Sequence, residues 1–290
     1  MRGTVANLMA HRRWPALGIL AAVLAACGSG TSGTSPPSSA PTPAVTVPAT
    51  AATSPTAAGR VLHYVEFGDS WPEGAHCGGC RTFAGLWADS LEKTLSAKID
   101  VTDFMGSREP SLGESKGSTT LRQAIEGNAA VRSAVTSADI ILIATGPNEG
   151  ESIFPALQAG TCGGSDGADC IRMLGATWKS NFDAILSEVD ALRVGKPTVV
   201  RLVDAANPFV SVPAMTEGMP TGFATGNGAL IFRLLNDAMC AAATAHHALC
   251  VDVRPILNGS SMTNPVDEDS GSSMQAIADA LVATGTSELR

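Results

Sequence analysis

The segment Asp139-Ile140-Ile141-Leu142-Ile143-Ala144-Thr145 constrains the fold more than any other. Five consecutive apolar residues leave no polar face to turn toward water, so a strand here must be covered on both sides, as strands of parallel sheets are. The run is also too short for a typical helix. Its surroundings repeat the theme. β-Branched and aromatic runs at Val61–Phe67, Ile99–Met105, Thr198–Val203 and Leu249–Val253 read as four further strands. Between them apolar residues return at helical spacing. Thr82–Ala97 places Phe83, Leu86, Trp87, Leu91 and Leu95 on one face, and helical stretches cover Leu121–Ala138, about Asp169 to Arg193, and Gly228–His246. Met274–Ala283 closes the chain as a helix. Strands separated by helices predict a single three-layer α/β/α domain with a mainly parallel five-stranded sheet, spanning residues 60–290.

The residues before this domain read differently. Arg12 and Arg13 precede a 13-residue apolar run, Trp14–Ala26, which falls short of the roughly 20 residues a spanning helix needs. A charged start, a short apolar stretch and small residues ahead of a cut describe a secretory signal over residues 1–26. Leu24-Ala25-Ala26-Cys27 resembles the lipobox of bacterial lipoproteins, which implies a lipidated Cys27 as the new N-terminus. The plainer alternative is a small free Cys behind a signal. Residues 28–59 hold six prolines and no charge. Such a stretch buries too little apolar surface to offset its ordering entropy, so 27–59 is expected to be a disordered tether. The expected location is the outer face of the cytoplasmic membrane.

Charge excludes one class of partner, and cysteine content agrees with an extracytoplasmic reading. The whole chain has a net charge of -8, and removing the signal leaves 16 basic against 27 acidic side chains. A domain that acidic, with no basic cluster, is a poor partner for nucleic-acid phosphates. Seven cysteines less Cys27 leave six, an even number suited to an oxidising compartment. Spacing favours the local pairs Cys77–Cys80, Cys162–Cys170 and Cys240–Cys250. Cys77-Gly78-Gly79-Cys80 also fits a redox motif or half of a zinc site, although no second ligand pair or thioredoxin-type context accompanies it. No His, Asp and Glu cluster has ligand spacing, so neither a metal nor a cofactor is expected.

In doubly wound sheets, sites form beyond the carboxyl ends of strands. Two polar turns follow buried strands directly: Gly68-Asp69-Ser70-Trp71-Pro72-Glu73-Gly74 and Gly146-Pro147-Asn148-Glu149. A Ser between a strand and a helix sits where backbone N–H groups converge, which suits an exposed nucleophile and a developing oxyanion. Gly-Asp-Ser alone is also ordinary turn chemistry. The pairing with a second polar turn is what lifts it.

These turns resemble the SGNH (GDSL) hydrolase family of esterases and lipases, and the resemblance extends over the whole 60–290 domain. Gly68-Asp69-Ser70, with Gly74 four residues on, resembles the family's first block and implies Ser70 as nucleophile. Gly146-Pro147-Asn148-Glu149 resembles the third block, with Glu where the family has Asp, and implies Asn148 as an oxyanion donor. The second block implies a Gly N–H donor. Gly117, in Lys116-Gly117-Ser118, is the best match, with Gly106 and Gly113 as rivals. Cys162 and Cys170 echo a loop disulfide of secreted actinobacterial members.

The fourth block departs from the family. Its Asp-x-x-His aligns with Asn264-Pro265-Val266-Asp267, so Asp267 stands where the resemblance expects the general base. A serine without a base forgoes about 10²–10⁴-fold in rate. Asp267, beside Glu268 and Asp269, is one substitute; His76, six residues after Ser70, is the other. His63 lies inside a strand, and His246 and His247 end a helix, which suits packing or dipole roles better. The expected function is a monomeric, lipid-anchored serine esterase or lipase acting on acyl or acetyl esters of lipids or glycans. The alternative is a non-catalytic lipoprotein of the same fold that binds glycan or lipid, because the base is missing.

Overall fold

In the computed structural model of the chain, the residues described are 59–74, 77–105, 117–265, 267 and 270–289. The signal, Cys27, nearly all of the tether, His76, Gly106 and Gly113 lie outside them. The chain order is β1 (Val61–Gly68), α1 (Ser70–Glu73), α2 (Phe83–Leu95), β2 (Lys98–Met105), α3 (Ser118–Gly127), α4 (Ala129–Ser137), β3 (Ile140–Ala144), α5 (Phe154–Gln158), α6 (Asp169–Leu192), β4 (Val199–Val203), α7 (Asn227–Ala245), β5 (Leu249–Val251) and α8 (Gly271–Ala283). Short 3-10 segments at Asn148–Ile153, Pro208–Val210 and Pro213–Thr216 follow β3 and β4.

Every strand pair is parallel, in the order β2-β1-β3-β4-β5. The expected three-layer fold is therefore the observed one. The period of two along each strand sorts side chains onto two cores. Val65, Phe67, Ile141, Ile143 and Leu202 pack against residues of α3, α4, α6 and α7. Leu62, Tyr64, Ile140, Leu142, Val199 and Val251 pack against α2 and α8 on the other face. All five residues of β3 are buried, as the seven-residue segment around them required.

Two boundaries differ from the sequence reading. The helical stretch over 121–138 is two helices, because the Asn128 side chain accepts from the N–H groups of Ala130 and Val131 and starts a new helix. Such local side-chain caps compete with helix continuation. β5 ends at Val251 rather than Val253; Val253 N–H instead donates to the Asp204 carboxylate at 2.6 Å.

The six domain cysteines pair as Cys77–Cys80, Cys162–Cys170 and Cys240–Cys250. The second staples the entry to α6, and the third ties α7 to the edge strand β5. Among the described residues no helix is long and apolar enough to cross a membrane.

Candidate active site

β1 and β3 are neighbours, with Gly68 opposite Ala144. The turns that leave them therefore emerge side by side. At the first, Gly68 is required by space: a Cβ there would fall on the Pro72 ring and the Ala144 carbonyl. Asp69 caps α1, its carboxylate accepting from Trp71 N–H at 3.0 Å and from Gly146 N–H in the second turn. One buried side chain thus ties the two turns together. Burial raises its carboxyl to about 6, the two amide donors oppose this, and the Glu149 charge adds to it. Ser70 follows as the first residue of α1 and is exposed. Gly74 ends α1 at φ 74°, a left-handed conformation that glycine adopts without strain.

At the second turn, Asn148 opens the 3-10 segment, and Gly150 N–H donates to Pro147 O at 2.6 Å. Ser70 and Asn148 line one cavity of about 270 Å³. The two residues with the most distinct chemistry are brought together.

Gly117, the third residue expected here, is the buried N-cap of α3 and does not line that cavity. It lies against Glu149, whose carboxylate occupies the space a Cβ would need. That carboxylate accepts from Ser118 Oγ at 2.8 Å, Thr119 N–H at 2.7 Å and Trp178 Nε1–H at 3.2 Å. Asn181 in turn donates to Ser118 Oγ and Thr119 Oγ1. Glu149 therefore braces the start of α3, and its backbone neighbour is Asn148.

Asp267 is exposed on the loop before α8 and does not line the cavity. Its backbone carbonyl accepts from Ser270 N–H and Ser273 Oγ. Asn264 is tied instead to the turn after β4: its carbonyl accepts from Asn258 Nδ2 at 2.8 Å, and Asn258 Oδ1 accepts from Asn207 N–H at 2.6 Å. His63 pairs with Asp100, and His246 with Asp190.

Two carboxylates near the strand ends escaped the sequence reading. Glu151 lines the cavity, because residues three apart in a 3-10 helix share a face and Asn148 sits three before it. A sequence without the 3-10 segment in view carries no signal for that. Asp204 follows β4, wholly buried, with Oδ2 lacking a hydrogen-bond donor among the described residues. Burial raises it to about 8; Val253 N–H lowers it, Asp252 raises it and Arg254 lowers it. Among the described residues no group of three or more His, Cys, Asp or Glu could hold a metal ion.

No protein-family model matches the chain, and no curated protein matches it. Solved structures do. The lipase Lip_vut3 from a goat rumen metagenome is 17% identical, with a TM-score of 0.55, covering 79% of this chain and 100% of the lipase. An extracellular lipase from Streptomyces rimosus is 13% identical, with a TM-score of 0.49, covering 77% of this chain and 99% of that one. At such identity the likeness is one of fold: the chain has the α/β fold of the goat-rumen lipase.

Proposed function

We propose that the chain is a serine ester hydrolase of the SGNH type, acting outside the cytoplasmic membrane on carboxylic esters. The observation that carries this reading is the shared cavity of Ser70 and Asn148, lined from two adjacent strand-end turns that Asp69 joins. In the proposed reaction Ser70 Oγ attacks the acyl carbon and its proton passes to Asp267 or His76. The oxyanion is held by the Ser70 N–H and the Asn148 side-chain amide, which share the cavity; Gly117, the third donor the resemblance implies, lies off it. Collapse expels the alcohol, which takes the proton back, and water releases the acid by the reverse sequence. The chain acts as a monomer, tethered by a lipid on Cys27. With a carboxylate in place of the expected His, turnover is slow.

A second reading has its own support: Asp267 is exposed and does not line the cavity. In this reading the chain is a binder of glycan or lipid that kept the pocket without the base. Purified protein tested on a panel of activated esters separates the two. The hydrolase reading expects slow turnover that Ser70→Ala abolishes and Asn148→Ala lowers by about 10²–10³-fold, the usual cost of one oxyanion donor. Ester-panel silence with retained glycan or lipid binding favours the binder. Turnover that survives Ser70→Ala overturns the assignment of the site.

A further inference from the structure

Apart from Asp69, Ser70, Asn148 and Glu151, every residue lining the cavity is apolar, aromatic or glycine. Its walls include Phe154, Ala205, Ala206, Phe209, Phe232 and Met215. The chain has only eight phenylalanines, and four of them interlock here. Phe209 stands 6.1 Å from Phe154, 5.1 Å from Phe223 and 5.5 Å from Phe232, centroid to centroid. The backbone of the wall after β4 finds its hydrogen bonds in neighbouring side chains. Ala205 N–H donates to Asn236 Oδ1 at 3.0 Å and its carbonyl accepts from Asn236 Nδ2 at 2.9 Å, while Asn207 N–H donates to Asn258. The Ala205 amide and carbonyl and the Asn207 N–H are thus already paired, and the side chains of this wall are rings, methyls and a thioether, which offer a sugar little to bond.

We infer that this cavity is the acyl-chain site and that it takes an unbranched aliphatic acyl group of about six to ten carbons. The inference rests on the ester-hydrolase reading for its chemistry but not for its binding. The length follows from volume. An apolar cavity of about 150 Å³ holds benzene, or about 25 Å³ per carbon. A cavity of about 270 Å³ therefore takes about ten carbon-sized atoms, some of them the ester group beside Ser70. An acetyl group would leave most of this apolar volume unfilled. Long-chain lipids place their first carbons here and leave the rest outside. Ala206 is buried, lines the cavity and packs into neither core layer, so a larger side chain there takes up cavity volume rather than core space.

The test is a series of p-nitrophenyl esters from acetate to palmitate, with calorimetric binding of octanamide and acetamide alongside. In the wild type kcat/KM rises by about two- to fourfold per added methylene, the gain expected for burying each one. It peaks between hexanoate and decanoate. Ala206→Phe lowers the octanoate-to-acetate ratio at least tenfold, and Met215→Ala, at an exposed position of the rim, lowers it by about two- to fivefold. Octanamide binds at least tenfold more tightly than acetamide, and Ala206→Phe removes the difference. If Ala206→Phe does not fold, Met215→Ala carries the comparison. Hydrolysis that favours acetate, or a ratio that neither variant moves, overturns the inference and leaves the hydrolase reading intact. No turnover on any ester, with octanamide still selected over acetamide, sinks the hydrolase reading and leaves the chain site standing. Equal binding of the two amides without turnover sinks both.

Discussion

Glu149 carries more of the site than its place in a familiar motif suggests. Its carboxylate is the common acceptor for Ser118 Oγ, Thr119 N–H and Trp178 Nε1–H, while its backbone continues from Asn148. Leaving buried donors without an acceptor costs about 1–3 kcal/mol apiece. Glu149→Ala is expected to lower stability by about 2–3 kcal/mol in urea melts and to reduce Ser70-dependent turnover. Glu149→Gln, which keeps an acceptor oxygen, retains most of both. Equal damage from Gln and Ala would show that both carboxylate oxygens are needed, since the Gln amide nitrogen cannot accept from Ser118, Thr119 or Trp178. The motif Gly-Pro-Asn-Glu was visible in the sequence; the bracing role was not, because Ser118, Thr119 and Trp178 lie about 30 residues away on each side. Asp204 supplies a second expectation. Its folded value of about 8 lies above the ordinary carboxylate value near 4, so the folded state holds the proton more tightly. That contribution is fully present below about pH 4 and is lost as pH rises through 8, by at most about 1.4 kcal/mol per pH unit. Between pH 6.5 and 8.5, above the Asp69 transition, Asp204→Asn should flatten the decline in the urea midpoint. Parallel pH profiles in variant and wild type would place the proton elsewhere.

At the scale of elements, periodicity decided what tertiary contacts had no reason to override. α6 runs Asp169–Leu192 as its apolar spacing implied, and Thr82 caps α2 with its hydroxyl accepting from Gly85 N–H. What spacing could not show was a break without a proline: the Asn128 side chain starts α4 where the apolar pattern runs straight on. Nor could it show the 3-10 segments that carry Asn148, Glu151 and Met215, since three to six residues are too few for a period to emerge. β5 illustrates the dependence of a weak element on its neighbours. It has three residues, pairs with β4 alone, and is held to α7 by Cys240–Cys250. Closing a loop of that size is worth about 2–3 kcal/mol through the unfolded state. Replacing both cysteines by Ala should therefore cost up to about that amount and raise hydrogen exchange selectively at Leu249–Val251. A stability loss spread evenly over the sheet would argue that the bridge acts only on the unfolded chain.

For the whole molecule, one buried strand and the alternation around it were enough to imply the doubly wound sheet, because parallel strands require crossovers and right-handed crossovers leave few topologies. The meeting of Ser70 and Asn148 then follows from β1 lying next to β3. The proton acceptor was not legible in the same way: Asp267 matches only a position in a motif, and nothing local in the sequence says whether a loop residue reaches a serine. The remaining question at this scale is what holds the domain near its substrate. We propose a lipid on Cys27 and a tether in the following 32 residues, which hold six prolines and no charge; a chain of that length reaches at most about 100 Å. Two or more acyl chains give stable membrane attachment at about 0.8 kcal/mol per buried methylene, where a single chain is marginal. The full chain made in a bacterial host that lipidates such cysteines should partition into the detergent phase of Triton X-114. Cys27→Ser should move it to the aqueous phase without changing kcat/KM on a water-soluble octanoate ester, since the reaction is assigned wholly to residues 60–290. Aqueous partitioning of the unaltered chain would remove the lipid anchor. Detergent partitioning that survives Cys27→Ser would assign membrane attachment to the uncleaved apolar run Trp14–Ala26 instead.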